Sequence, residues 1–152
     1  MAGFTAKVVD RLQSGFGYNR ETMFDTYLVP EKTVVNAKGD STPVDVSAAA
    51  GRVLLLLLNI SGVVEQESLD LTIWGSADGK DWGAKPLAEF PQKFYRGEHP
   101  LLLDLAAHPQ VRELRAHWEV NRWGRGSETA MFEFSVRATE VAPEMLQKAE
   151  SR

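Results

Sequence analysis

The rhythm of apolar and polar residues changes once along this chain. In residues 1–30 the apolar positions are spaced for a helix. Phe4, Val8 and Leu12 fall at i, i+4 and i+8, which would place them on one helical face. Ser14-Gly15 would end such a helix, and Gly15, Gly17 and Asn19 mark a loop. Phe24, Tyr27 and Leu28 fit a second helical turn before Pro30, and an extended arm fits them nearly as well. Isolated helices shorter than about 12–15 residues are marginal in water. The segment therefore needs a surface to pack on, either its own domain or a neighbouring subunit.

From Thr33 onward the pattern is that of strands. Thr33–Ala37 is β-prone, Lys38-Gly39-Asp40 is a turn, and Pro43–Val46 is again extended. Arg52–Ile60 is almost continuously apolar, which predicts a strand buried on both faces in the middle of a sheet. Leu69, Leu71 and Ile73 alternate with Asp70, Thr72 and Trp74, the period of a half-buried strand. Ser76–Asp81 carries turn chemistry around Asp78-Gly79. Leu87–Phe94 is interrupted by Pro91, which suits an edge strand, and Leu101–Leu105 is another short apolar strand. The clearest alternations are Leu114, Ala116, Trp118, Val120 and then Ala130, Phe132, Phe134, Val136, Ala138. Pro143 suits the first turn of a short helix through Met145, Leu146 and Ala149.

Seven or eight short strands with turns at roughly ten-residue spacing predict an all-β fold: an antiparallel β-sandwich, jelly-roll-like. The expected organisation is an N-terminal arm over 1–32, a sandwich over 33–139 and a helical tail over 140–152. With 152 residues, 43% hydrophobic and 25% charged, the chain can enclose a core without staples.

The chain has no cysteine, which removes disulfides, thiolate metal sites and a cysteine nucleophile. The net charge of −4 disfavours a dedicated nucleic-acid binder. No secretory signal is read at the N-terminus, and Val53–Leu58 is far shorter than the roughly 20 residues of a membrane span. A soluble protein made in a reducing, cytoplasmic compartment, with no membrane partner, is the expectation from these residues.

Candidate chemistry is sparse. His99, His108 and His117 lack the i, i+4 spacing of a helical zinc site. His117 and Glu119 share a strand face and could hold a water or a metal if another strand added ligands; a solvated or interfacial face is the simpler reading. Asp78 and Asp81 bracket a turn and read first as caps of their own backbone, with calcium as the sharper alternative. Glu65, Glu67 and Asp70 flank another loop. No nucleophile elbow, phosphate loop or dinucleotide fingerprint is present. The expectation is no catalytic residue, no metal and no cofactor.

The distinctive surface motif is Arg122-Trp123-Gly124-Arg125-Gly126. Trp and Arg are enriched at interface hot spots, and a Trp can also stack on a sugar or a base. Trp123 could equally fold back on the sandwich edge. Phe4, Phe16, Phe24 and Tyr27 are the matching anchors in the arm, and Trp74, Trp82 and Trp123 form the alternative ligand platform.

The run V-D-V-S-A-A-A-G-R-V-L-L-L-L-L-N-I-S-G, followed by L-D-L-T-I-W-G-S-A-D-G-K-D-W, L-L-L-D-L, L-R-A-H-W-E-V and F-E-F-S-V-R-A, resembles head-associated, capsid-decoration-like β-sandwich proteins of tailed bacteriophages. The likeness covers about residues 33–139 and leaves the arm unmatched. S-x-D-G-x-x-W also occurs in discoidin-like binding sandwiches. The chain departs from the phage pattern at Glu65-Gln66-Glu67 and at the R-W-G-R-G insertion. The resemblance implies a non-catalytic structural or assembly role, with a homo-oligomer or a capsid lattice as partner and the virion as location. A carbohydrate-binding module using its tryptophans is the alternative, with a glycan as ligand.

Overall fold

The computed structural model describes residues 23–64, 67–122 and 131–145. Among the described residues nine strands form two antiparallel sheets: β1 (Asp25–Val35), β2 (Gly39–Asp40), β3 (Val44–Asp45), β4 (Val53–Val63), β5 (Glu67–Ser76), β6 (Ala88–Glu89), β7 (Gly97–Asp104), β8 (Glu113–Arg122) and β9 (Phe132–Val141). The first sheet has the order β1-β9-β4-β7. The second has the order β2-β8-β5-β6, with β3 also paired to β8. Consecutive long strands β4 and β5 lie in different sheets, as do β8 and β9. The β4–β5 and β8–β9 connections are therefore among those that cross between the sheets.

One core lies between the sheets. Leu54, Leu56, Leu58 and Ile60 of β4 join Phe132, Phe134, Val136 and Ala138 of β9 from one side, and Leu69, Leu71 and Ile73 of β5 join Leu114, Ala116 and Trp118 of β8 from the other. Trp118 meets Phe134 edge-on across the gap, with ring centroids 5.6 Å apart. That is the favoured geometry for two aromatic quadrupoles. Gly39 of β2 lies close to the Trp118 indole, and a Cβ there would come within 3.2 Å of the ring. The all-β, two-sheet sandwich expected from alternation is what forms.

Three details refine the expectation. The residues around Tyr27 and Leu28 are extended, since β1 starts at Asp25 and pairs with β9. This edge strand crosses the boundary drawn at residue 33. It carries Pro30 and register shifts on either side of Val29, as suits an edge with no full ladder to satisfy. Leu87–Phe94 is reduced to the two residues of β6 and a single bridge from Lys93 to Leu69. Of the tail helix expected through Met145, Leu146 and Ala149, the part from Leu146 on lies outside the described residues.

The third detail concerns β4. Its inward leucines are fully buried, but Leu55 and Leu57 are only half-buried and lie outside the core cluster. Continuous hydrophobicity predicted burial on both faces; the described residues cover one of them.

Candidate functional site

Side chains converge on the outer face of each sheet and at the crossover end where β4 runs to β5 and β8 to β9.

On the outer face of the second sheet, register places Trp74 opposite Arg115, Thr72 opposite His117 and Asp70 opposite Glu119. The Arg115 guanidinium stacks on the Trp82 ring, 4.4 Å from its centroid. Trp74 donates its indole N–H to the Thr72 hydroxyl at 2.9 Å. Trp74 and Trp82, both half-buried, thus flank one arginine. Arg115 Nε is buried without a hydrogen bond, and Asp40 Oδ1 stands 3.7 Å from it. Asp40 also takes His117 Nδ1 at 2.9 Å, while His117 Nε2 lies 3.3 Å from Glu119. Asp70 accepts from Gln92 at 3.1 Å and from Asn121 at 3.3 Å. The two carboxylates beside His117 sit on opposite ring nitrogens, so they do not converge on one point. Among the described residues no group of three His, Asp or Glu side chains could hold a metal ion.

The outer face of the first sheet has a different chemistry. Register aligns Leu55 with Leu102 and Leu57 with Pro100. None of these belongs to the core or packs against it. Beside them, Arg137 of β9 makes a two-pronged bridge to Asp25 of β1, with Nε donating to Oδ1 at 2.9 Å and Nη2 to Oδ2. This holds the Asp25 carboxyl below the usual carboxylate range and raises Arg137 further above its own. The same guanidinium lies 5.8 Å from the Tyr27 ring. Arg137 and Asp25 are thus paired, Glu31, Lys32 and Glu133 line a hollow on the same face with Asn59, Ser61 and Ser135, and the strip next to Arg137 is aliphatic.

At the crossover end, Glu67 is only 1% exposed. Its Oε2 accepts the Val64 N–H and its Oε1 the Met131 N–H, each at 2.8 Å. Burial pushes its carboxyl above the usual range, and the two backbone donors oppose that shift. Its cross-strand neighbour is Arg122, whose Nη1 is buried with no acceptor among the described residues. Glu67 thereby ties together one end of the β4–β5 connection and one end of the β8–β9 connection. The sequence marked it as one acid of a loop cluster. A buried cap was not legible there, because burial of that strand end depends on two connections distant in sequence.

The turn at Asp78 follows the simpler expectation. Asp78 Oδ1 accepts the N–H groups of Lys80 and Asp81 at 2.8 and 2.9 Å and the Ser76 hydroxyl at 3.0 Å, and these donors hold its carboxyl low. Asp81 accepts from Gly83 N–H at 2.9 Å. Both side chains cap their own backbone, and the shallow hollow beside them is lined by Ser76, Asp78, Gln110 and Val111.

The proposed interface residues separate. Phe4, Phe16, Trp123 and Arg125 lie outside the described residues. Phe24 packs partly against the core and donates its N–H to Glu140 at 3.0 Å. Tyr27 lies on the outer face of the first sheet, and Arg122 sits at the crossover end. Of the ligand platform, Trp74 and Trp82 are together and Trp123 is not described. Sequence reasoning missed the outward Leu55–Leu57–Leu102 strip. The signal was there in the excess of leucine over what one face needs.

No family model matches the chain, and no curated protein matches it significantly. Among the described residues no helix is long and apolar enough to cross a membrane.

Proposed function

We propose that this is a non-catalytic structural or assembly protein, acting through protein–protein contacts in a jelly-roll-like sandwich. The decoration-like role in a phage head that the motifs imply is the specific form of this reading. The observation that carries it is the aliphatic outer strip of Leu55, Leu57, Pro100 and Leu102. An antiparallel sheet with one solvated face normally alternates apolar-in and polar-out, so leucines at outward positions favour a surface that is covered in use. Arg122 at the crossover end, next to Trp123 and Arg125 in sequence, offers a second contact region. Light scattering of the full chain, together with cosedimentation on tailed-phage head shells, tests the reading. Oligomers or shell binding are expected; a clean monomer that binds no shell sinks it.

The second reading, a carbohydrate-binding module, is favoured by Trp74 and Trp82 flanking Arg115. Aromatic rings next to hydrogen-bonding side chains suit a sugar's apolar face and its hydroxyls. A glycan array on the full chain, repeated with Trp74→Ala, tests it; an array with no signal removes it.

A further inference from the structure

We infer that the polar hollow on the outer face of the first sheet is a ligand site for a single uncharged sugar ring. It lies on the other sheet from Trp74 and Trp82, and it stands or falls apart from both readings above.

Two irregularities of strand pairing build the hollow. On β1, Val29 pairs with Val136 and Thr33 with Phe134, so Pro30, Glu31 and Lys32 face Ser135 alone. On β4, Ile60 pairs with Phe134 and Gly62 with Glu133, so Ser61 is left over. β9 runs between these two strands and brings Glu133 and Ser135 between the two bulges. The unmatched residues Glu31, Lys32 and Ser61 then line one hollow of about 260 Å³ together with Asn59, Glu133 and Ser135. Ser135 is only 6% exposed.

A bulge on β1 suits an edge strand, but β4 is an inner strand with β9 and β7 on its two sides. Protection of an open edge does not account for a bulge there. Bulges also re-aim side chains, and they gather beside functional sites. Lys32 adds a second sign. Its φ is +65°, in the left-handed region, and no other non-glycine among the described residues shares that conformation. Such outliers persist where the surrounding structure holds them, and they cluster at ligand sites.

The lining selects the ligand. Glu31 and Glu133 oppose a phosphate or a free carboxylate, and Lys32 opposes an amine. Among the described residues no aromatic or aliphatic side chain lines the hollow, so a nucleobase or an acyl chain has nothing to pack against. The glutamates accept hydrogen bonds, Lys32 donates them, and Asn59, Ser61 and Ser135 do both. The Ser61 hydroxyl already donates to the Glu133 carbonyl at 3.2 Å, which leaves its lone pairs for a ligand. Hydroxyls around a neutral ring match this mixture, since each can donate and accept. Pockets for drug-sized ligands run to roughly 300–1,000 Å³, so this one suits one ring.

Nuclear magnetic resonance titration of the isotope-labelled full chain tests this, with glucose, galactose, mannose and N-acetylglucosamine each taken to tens of millimolar. At least one of them should shift the amides of Lys32, Ser61 and Ser135, and glucuronate should bind more weakly. Glu133→Gln and Asn59→Ala should each weaken the binding about tenfold, with the Leu56 and Phe134 amides reporting that the variant folds. Lys32→Gly relieves the left-handed backbone, so it should raise the thermal midpoint while lowering the affinity. No shift at these amides with any of the four sugars overturns the proposal. So does glucuronate binding as well as the best of them, or an affinity indifferent to all three variants. Shifts confined to Trp74 and Trp82 overturn it too, and leave the carbohydrate reading of the other sheet standing.

Discussion

On β5 and β8 the side chains pointing away from the core include Asp70, Thr72, Arg115, His117 and Glu119; on β4 and β7 they include Leu55, Leu57, Pro100 and Leu102. Much of the polar face is satisfied from within, Asp70 by Gln92 and Asn121 and His117 by Asp40 and Glu119, while Arg115 stacks on the Trp82 ring. The aliphatic face has no such internal partners, because carbon offers none beyond its neighbours. Two sheets with the same inward alternation thus differ in how much their outward faces gain from contact with something else. A self-satisfied polar face loses hydrogen bonds or water when covered, whereas an aliphatic one gains by leaving water.

The largest expected effect separates the two sides of β4. Leu56→Ala removes a fully buried core side chain and should cost about 2–5 kcal/mol in urea unfolding. Leu57→Ala, measured at a concentration where the chain is monomeric, should cost less than about 1 kcal/mol. Equal losses would mean that the outer strip is already part of the core.

Glu67 comes next. Glu67→Gln leaves one good acceptor for two buried N–H donors and should cost about 1–3 kcal/mol. Hydrogen exchange at Val64 and Met131 should accelerate together, with the sheet centres unchanged. Exchange rising at only one of them would show that the two connections are not tied through this carboxyl.

His99 sharpens the view of β7. Burial, with Lys93 nearby, lowers its affinity for a proton in the folded state, and its Nε2 is buried without a partner among the described residues. The unfolded chain therefore binds the proton more readily. Stability should be full above the ordinary histidine range and should fall as pH drops through about 6.5. In His99→Gln that part of the pH slope should vanish.

On the polar face, Trp82→Ala should cost about 1 kcal/mol, through loss of the Arg115 stack. A much larger loss in the thermal midpoint would make Trp82 a structural closure of the sandwich rather than a platform. The smallest effect belongs to the Asp25–Arg137 bridge, in which both partners are more than a third exposed. Asp25→Asn should cost no more than about 1 kcal/mol, and less in high salt. The Asp25 carboxyl is held low, so the bridge contributes above the unfolded carboxylate range and is lost as pH falls through the folded one. A loss that salt does not reduce would show the bridge to be buried under a partner.

Most of the fold was legible because burial on one side of a strand writes itself as a period of two. Phe132, Phe134, Val136 and Ala138 alternate in the sequence, and all are fully buried. The turn at Asp78 was legible for a local reason: an aspartate caps backbone groups two and three residues on. Tyr27 could not be settled between helix and strand, since its partner Arg137 lies 110 residues away. The pairing of Trp74 with Arg115 depended equally on a strand register absent from either segment alone.

By itself the sequence determined an all-β chain with a strand-forming core, its turns, and the exclusion of cysteine chemistry, because each follows from residue type and near neighbours. Only the tertiary structure decided which strands share a sheet, that Glu67 is buried at the crossover end, and that two of the five leucines of β4 face outward. Those depend on contacts between segments far apart in the chain, where pairing register and loop closure set the outcome and local preference does not.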